Sequence, residues 1–135
     1  MANYTAALLL GLVVKVSCAP AVYAHHGNAA YDMKHTLTRT GTVTQLTLGN
    51  PHSLIAFDAK DENGNVTSWK AEGFPPNMLI RQGWRRDVTV KVGDTISVFG
   101  WRARDSSNLM QSREVTLSDG RKLLSGPPAG TGGGN

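Results

Sequence analysis

Two histidines stand side by side at His25-His26, and two more follow at His35 and His52. If the chain is cut after Ala24, His25 carries a free α-amine and an imidazole on one residue, and together these can chelate a transition metal. Nitrogen-rich tetragonal coordination suits Cu(II), so copper is the natural ion for such a set. His52, directly after Asn50-Pro51, can supply the next nitrogen, with His26 or His35 completing the set. The competing reading is that adjacent histidines at a chain end are merely solvated, while His52 caps a turn through Asn50-Pro51-His52. Asp32 and Glu72 could add oxygen ligands, although nothing in their spacing selects them.

A second group of residues suits binding rather than coordination. Trp69, Trp84 and Trp101, with Arg81, Arg85, Arg86, Arg102 and Arg104, supply stacking surfaces and charge. Small β-barrels use such surfaces for oligosaccharides or single strands, and Trp and Arg also dominate protein interfaces. Trp84, Arg81, Arg85, Trp101 and Arg102 are the residues expected to form that face. Against it stands the ordinary fate of tryptophan in a small domain, which is to fill the core. Catalysis has no comparable signal: there is no Ser-His-Asp order with a glycine elbow, no phosphate loop and no dinucleotide fingerprint. The expectation is a protein that is not an enzyme.

Ala6 to Val16 is an apolar run broken only by Lys15, followed by Ser17-Cys18-Ala19-Pro20 and Val22-Tyr23-Ala24. That order is the order of a secretory signal, with cleavage after Ala24, and the run is shorter than the roughly 20 residues a membrane-spanning helix requires. A lipid anchor at Cys18 is disfavoured because Lys15 occupies the place of a small apolar residue. Export to the periplasm or the medium is therefore expected, as a protein that is not integral to the membrane. Cleavage leaves about 111 residues, the size of one domain. It also removes Lys15, lowering the formal charge of +4 by one, and a mildly basic surface gives no reason to invoke nucleic acid. The single cysteine leaves with the signal, so the domain must hold together without disulfides or thiolate metal sites.

The elements that must position these residues are β-strands. Thr40 to Leu48 is dense in β-branched residues, and its apolar phase shifts between Val43 and Leu46, as in a bent or bulged strand. Ser53–Ala59 and Val66–Glu72 flank the turn-forming Asp61-Glu62-Asn63-Gly64-Asn65. Proline opens and Gly83 closes a short helical stretch that contains the apolar Met78, Leu79 and Ile80. Thr95–Trp101 is a fourth strand with Ile96 and Val98 on one face and Phe99 and Trp101 on the other. Met110–Leu117 is a fifth, and Ser118-Asp119-Gly120-Arg121 turns the chain into a small extra strand at Lys122-Leu123-Leu124. The expected fold is all-β: a small oligonucleotide/oligosaccharide-binding (OB)-like five-stranded barrel with one short helix between strands three and four, an open β-sandwich being the alternative. The expected division is a signal peptide over 1–24, an N-terminal arm over 25–39, the barrel over 40–125 and a flexible Gly/Pro-rich tail over 126–135.

Ala24-His25-His26, Thr40-Gly41-Thr42-Val43, Asn50-Pro51-His52, the stretch Asn77 to Trp84, Gly93-Asp94 and Ser118 to Leu123 together resemble an uncharacterised family of small exported bacterial proteins, catalogued as a domain of unknown function. Gly27 departs from the His-His-Ser that members often carry. The resemblance implies export and an OB-like fold and brings no activity with it. The residues themselves point to a non-catalytic exported binding module, with copper or another transition metal held by His25, His26 and His52 as its sharpest form. The alternative is a module that binds an oligosaccharide, a peptide or an envelope protein through the Trp and Arg face.

Overall fold

Strand β1, Tyr31–Thr47, is long because it serves two neighbours in turn. The computed structural model describes residues 28–128, so His25, His26, the expected signal peptide and residues 129–135 lie outside the described residues. A 3₁₀ turn at Asn28–Ala30 leads directly into β1. From Thr36 to Thr42 the strand pairs antiparallel with β4, Thr95–Ala103, and from Gly41 to Thr47 it pairs with β2, Ser53–Lys60. The register on β2 slips between Val43 and Gln45, at the place where the apolar phase changes in the sequence. A bulge there bends the strand and increases its twist, which lets one strand lie in two directions.

The bend is held from outside. Val43 donates its N–H to Asp94 O at 2.9 Å and accepts from Gly93 N at 2.8 Å, so the turn before β4 is stapled onto the bulge. The remaining strands close the circle. β2 pairs antiparallel with β3, Val66–Gly73, and β4 pairs antiparallel with β5, Leu109–Thr116. β3 then meets β5 in parallel through Ala71 and Met110, and a short β6, Lys122–Leu124, extends β5 on its far edge. The result is a barrel-like ring of five strands with one short helix, α1, Pro76–Arg81, between β3 and β4, as expected.

Two separate apolar clusters follow from the pleat, because alternate side chains point to opposite faces. Inside the ring lie Val43, Phe57, Trp69, Ile96, Val98, Met110 and Val115 with their neighbours. On the outer face, Tyr31, Trp101 and Ala103 form a smaller cluster with Ala30, Met33 and Leu109 packed against it. Ile96 and Val98 thus face one way and Trp101 the other, and both faces of β4 are covered. Helix α1 contributes less than its apolar run suggests: of its residues only Leu79 is buried, while Met78 and Ile80 remain exposed. A helix of six residues turns too few times to bury more than a narrow stripe.

Two segments differ from expectation. Residues 31–39, expected as part of an N-terminal arm, are strand: Tyr31 and Thr36 to Arg39 pair with β4, the register shifting between Tyr31 and Thr36. At the other end Ser125 and Gly126 are buried, Phe74 N–H donating to Ser125 O at 2.6 Å and Ser125 N–H to Arg113 O at 2.9 Å. The glycine-rich composition hid this docking.

Gly41 pairs with Ala59 on β2 and with Ile96 on β4, and a Cβ built there would collide with the carbonyl oxygen of Asp58. Gly41→Ala is therefore expected to destabilise the domain by about 1–3 kcal/mol, as overpacking does. Phe57→Ala, which empties the ring, is expected to cost about 3–5 kcal/mol. Urea denaturation followed by tryptophan fluorescence checks both, and a wild-type midpoint for Gly41→Ala would contradict the close approach.

Candidate functional site

The outer cluster carries polar chemistry at its edge. Tyr31 is buried, and its hydroxyl donates to Glu72 Oε2 at 2.5 Å. The strand that bears it is anchored by Arg104, whose backbone N–H reaches Ala30 O at 2.9 Å and whose Nε reaches Tyr31 O at 3.1 Å. Burial foremost, then the hydrogen bond to Glu72 and the nearby charges of Glu72 and Asp105, push the Tyr31 phenol far above its ordinary value. It therefore stays protonated and remains a donor, which fixes one oxygen of Glu72 and leaves the other for a ligand.

Glu72 opens onto a cleft with about 260 Å³ of free space, which it lines with His52, Gln111, Phe74, Met78 and Pro127. Three elements meet here: the turn before β2 brings His52, β3 brings Glu72, and β5 brings Gln111, the direct parallel partner of Glu72. The Gln111 side-chain oxygen is buried without a hydrogen-bond partner. An imidazole, a carboxylate and an amide oxygen around one space form a set that can bind a cation or a hydrogen-bonding ligand. Among the described residues, no group of three or more His, Cys, Asp and Glu side chains is close enough to hold a metal by itself.

A second concave space, of about 370 Å³, lies where the β2–β3 hairpin and the β4–β5 loop meet at one mouth of the ring. Its floor is Trp69, only 3% exposed. The guanidinium of Arg39 lies 5.0 Å from the Trp69 ring centroid and that of Arg102 5.1 Å from it. Both are within cation–π range.

Of the residues expected to coordinate metal, His52 stands exposed at the Glu72 cleft. His35 does not join it: its side chain is 81% exposed, with Nδ1 2.8 Å from Asp32 Oδ2. The hydrogen bond from His35, and after it that from the Lys34 backbone, hold the Asp32 carboxyl below its usual range. Of the expected Trp and Arg face, Trp84 is buried in the ring core with Nε1 donating to Leu124 O at 2.8 Å, and Trp101 is buried in the outer cluster. Arg81 and Arg85 are exposed at and just beyond the end of α1, and Arg102 belongs to the Trp69 mouth. Of these five, Trp84 and Arg85 line one hollow beside α1, while Trp101 and Arg102 lie apart from it. Sequence reasoning passed over Tyr31, Gln111 and Arg39; Arg39 has the same parity as Val43, which is the one signal that would have turned it inward.

The fold is a small barrel-like β-domain, and the Glu72 cleft and the Trp69 mouth are two of the concave spaces formed by its described residues. The chain belongs to the Family of unknown function (DUF6152), whose family model matches residues 13–111. None of the curated proteins compared with the chain matches it. No helix among the described residues is long and apolar enough to cross a membrane.

A chain beginning at His25 keeps only one of the three tyrosines, Tyr31, so phenolate absorbance reads that residue alone. Its raised folded value stabilises the domain fully below the ordinary tyrosine value of about 10, and that contribution is lost as pH climbs from there towards the folded value. In alkaline titration, phenolate absorbance is expected to appear only together with loss of the near-ultraviolet circular dichroism signal. A free titration near pH 10 in folded protein would show that the Tyr31–Glu72 contact does not hold.

Proposed function

We propose that the protein is a non-catalytic exported binding module that holds a transition-metal ion, with copper the best match, between His52 and the N-terminal pair His25 and His26. The observation that carries this reading is the shared cleft of His52 and Glu72, whose carboxylate is fixed by Tyr31 at the start of β1. His26 precedes Tyr31, the residue that holds Glu72, by five residues in sequence, and the 3₁₀ turn Asn28–Ala30 occupies three of the intervening positions. Imidazole nitrogens with a terminal amine favour Cu(II), and a carboxylate held by a second hydrogen-bonding group is the arrangement that orients metal ligands. His35, engaged with Asp32, is left out of the set. The periplasm or the medium is the compartment in which such a module would work.

The alternative, an oligosaccharide, peptide or envelope-protein surface, loses Trp84 and Trp101 to the two apolar clusters and keeps Arg81 and Arg85 near α1.

Competition titration of the chain starting at His25 with Cu(II) tests the metal reading. The His25→Ala, His52→Ala double variant is expected to lose stoichiometric binding, and Tyr31→Phe, which frees Glu72, to weaken it about 10–100-fold. If the double variant binds copper as tightly as the parent, the metal reading is wrong.

A further inference from the structure

The mouth of the ring at Trp69 brings three cations, Arg39, Lys60 and Arg102, together with two carboxylates, Asp61 and Glu62. Arg39 on β1 and Arg102 on β4 both approach the Trp69 ring, and Lys60 joins them in lining the same space. The ion pairs among the described residues are His35–Asp32, Arg121–Asp119 and Lys122–Glu114, so none of these three cations has a carboxylate within 4.0 Å. Asp61 and Glu62 also line the mouth, but Asp61 is committed to its own turn. It accepts from Asn63 N at 2.9 Å, from Asn65 N at 2.8 Å and from Asn65 Nδ2 at 3.1 Å. These bonds hold it ionised and directed at the hairpin backbone.

The two arginines play different parts. Arg102 spends its donors on Ser107 O, Ser106 O and Asn108 Oδ1, so it is a fixed charge that also shapes the β4–β5 loop. Arg39 makes one hydrogen bond, from Nη1 to Thr38 O at 3.1 Å, and its other N–H groups have no acceptor among the described residues. A guanidinium held in place by a ring, with donors free and a second fixed cation beside it, is suited to a planar or tetrahedral oxyanion, which it can engage with two parallel bonds. Asn108, whose Oδ1 accepts from Arg102, adds its side-chain amide N–H groups for neighbouring hydroxyls.

We infer that this mouth is a binding site for a small hydroxylated molecule bearing a phosphate or carboxylate group, with Arg39 as the direct ligand, Arg102 as the fixed counter-charge and Lys60 at the rim. The site is separate from the His52 cleft and needs no metal. The test is a ¹H–¹⁵N NMR titration of the full mature chain with inorganic phosphate in one arm and glucuronate in the other, at constant ionic strength with EDTA present. The expected result is saturating shifts centred on the Trp69 indole and Arg39 Nε–H signals in at least one arm, and the arm that saturates names the source of the oxyanion. Arg39→Gln is expected to weaken that binding at least about ten-fold. Lys60→Gln, an exposed change with no packing role, should weaken it a few-fold, while Arg121→Gln leaves it unchanged. No saturation in either arm, or equal binding by the parent and Lys60→Gln together with shifts spread over all basic residues, overturns the proposal.

Discussion

At Gly41 the first strand is paired on both edges at once, with Ala59 of β2 and Ile96 of β4, and two residues later it bulges. This passage from one partner strand to the other is what allows five strands to close without a sixth. It requires a residue with no side chain where the backbones come closest, and a bulge to supply the bend. Once β1 is bent, the parity of every other strand follows. Ile55 and Phe57, Trp69 and Ala71, Ile96 and Val98, Met110 and Val115 enter one lumen, and what lies between them must face outward. The ring core therefore supplies most of the apolar burial, and the Gly93-Asp94 turn secures the bend.

Outward residues near the beginning of β1 would be wasted on solvent were it not for the 3₁₀ turn and the Arg104 contacts. These fold Tyr31 over Trp101 and create a second, smaller core on the outside of the ring. That outer core turns a structural tyrosine into a device that holds a carboxylate. The Glu72 cleft and the Trp69 mouth consequently have different electrostatic characters within one small domain: one presents imidazole and carboxylate, the other paired guanidiniums on an indole. Neither depends on a long loop. Each combines strand residues, Glu72 and Gln111 in one and Arg39, Trp69 and Arg102 in the other, with residues of the short connections beside the strand ends.

Much of this was legible in the residues. The phase change between Val43 and Leu46 located the bulge, Asp61 to Asn65 located the hairpin, and the opposite faces of Ile96 and Trp101 called for two apolar clusters. The first half of β1 was not legible, because Thr36 to Arg39 carry a mixed polar pattern and are paired by the edge of β4 rather than marked by their own alternation. The same limit applied to the candidate sites. His52 was visible as a chemical group, but its neighbour Gln111 arrives through the parallel β3–β5 pairing, a non-local contact that no local signal announces. The tryptophans were visible as a group and were dispersed by the fold, since Trp84 and Trp101 have hydrophobic partners on opposite sides of the sheet and only Trp69 is left beneath a polar space.

In the proposed metal site, a chain cut after Ala24 brings His25 to the His52–Glu72 cleft. Native mass spectrometry of the exported protein, with one equivalent of Cu(II) and a moderate competing chelator, is the decisive measurement. A mass beginning at His25 that retains one copper is the expected result. A chain beginning elsewhere, or one that begins at His25 and surrenders the copper to the competitor, overturns the proposal.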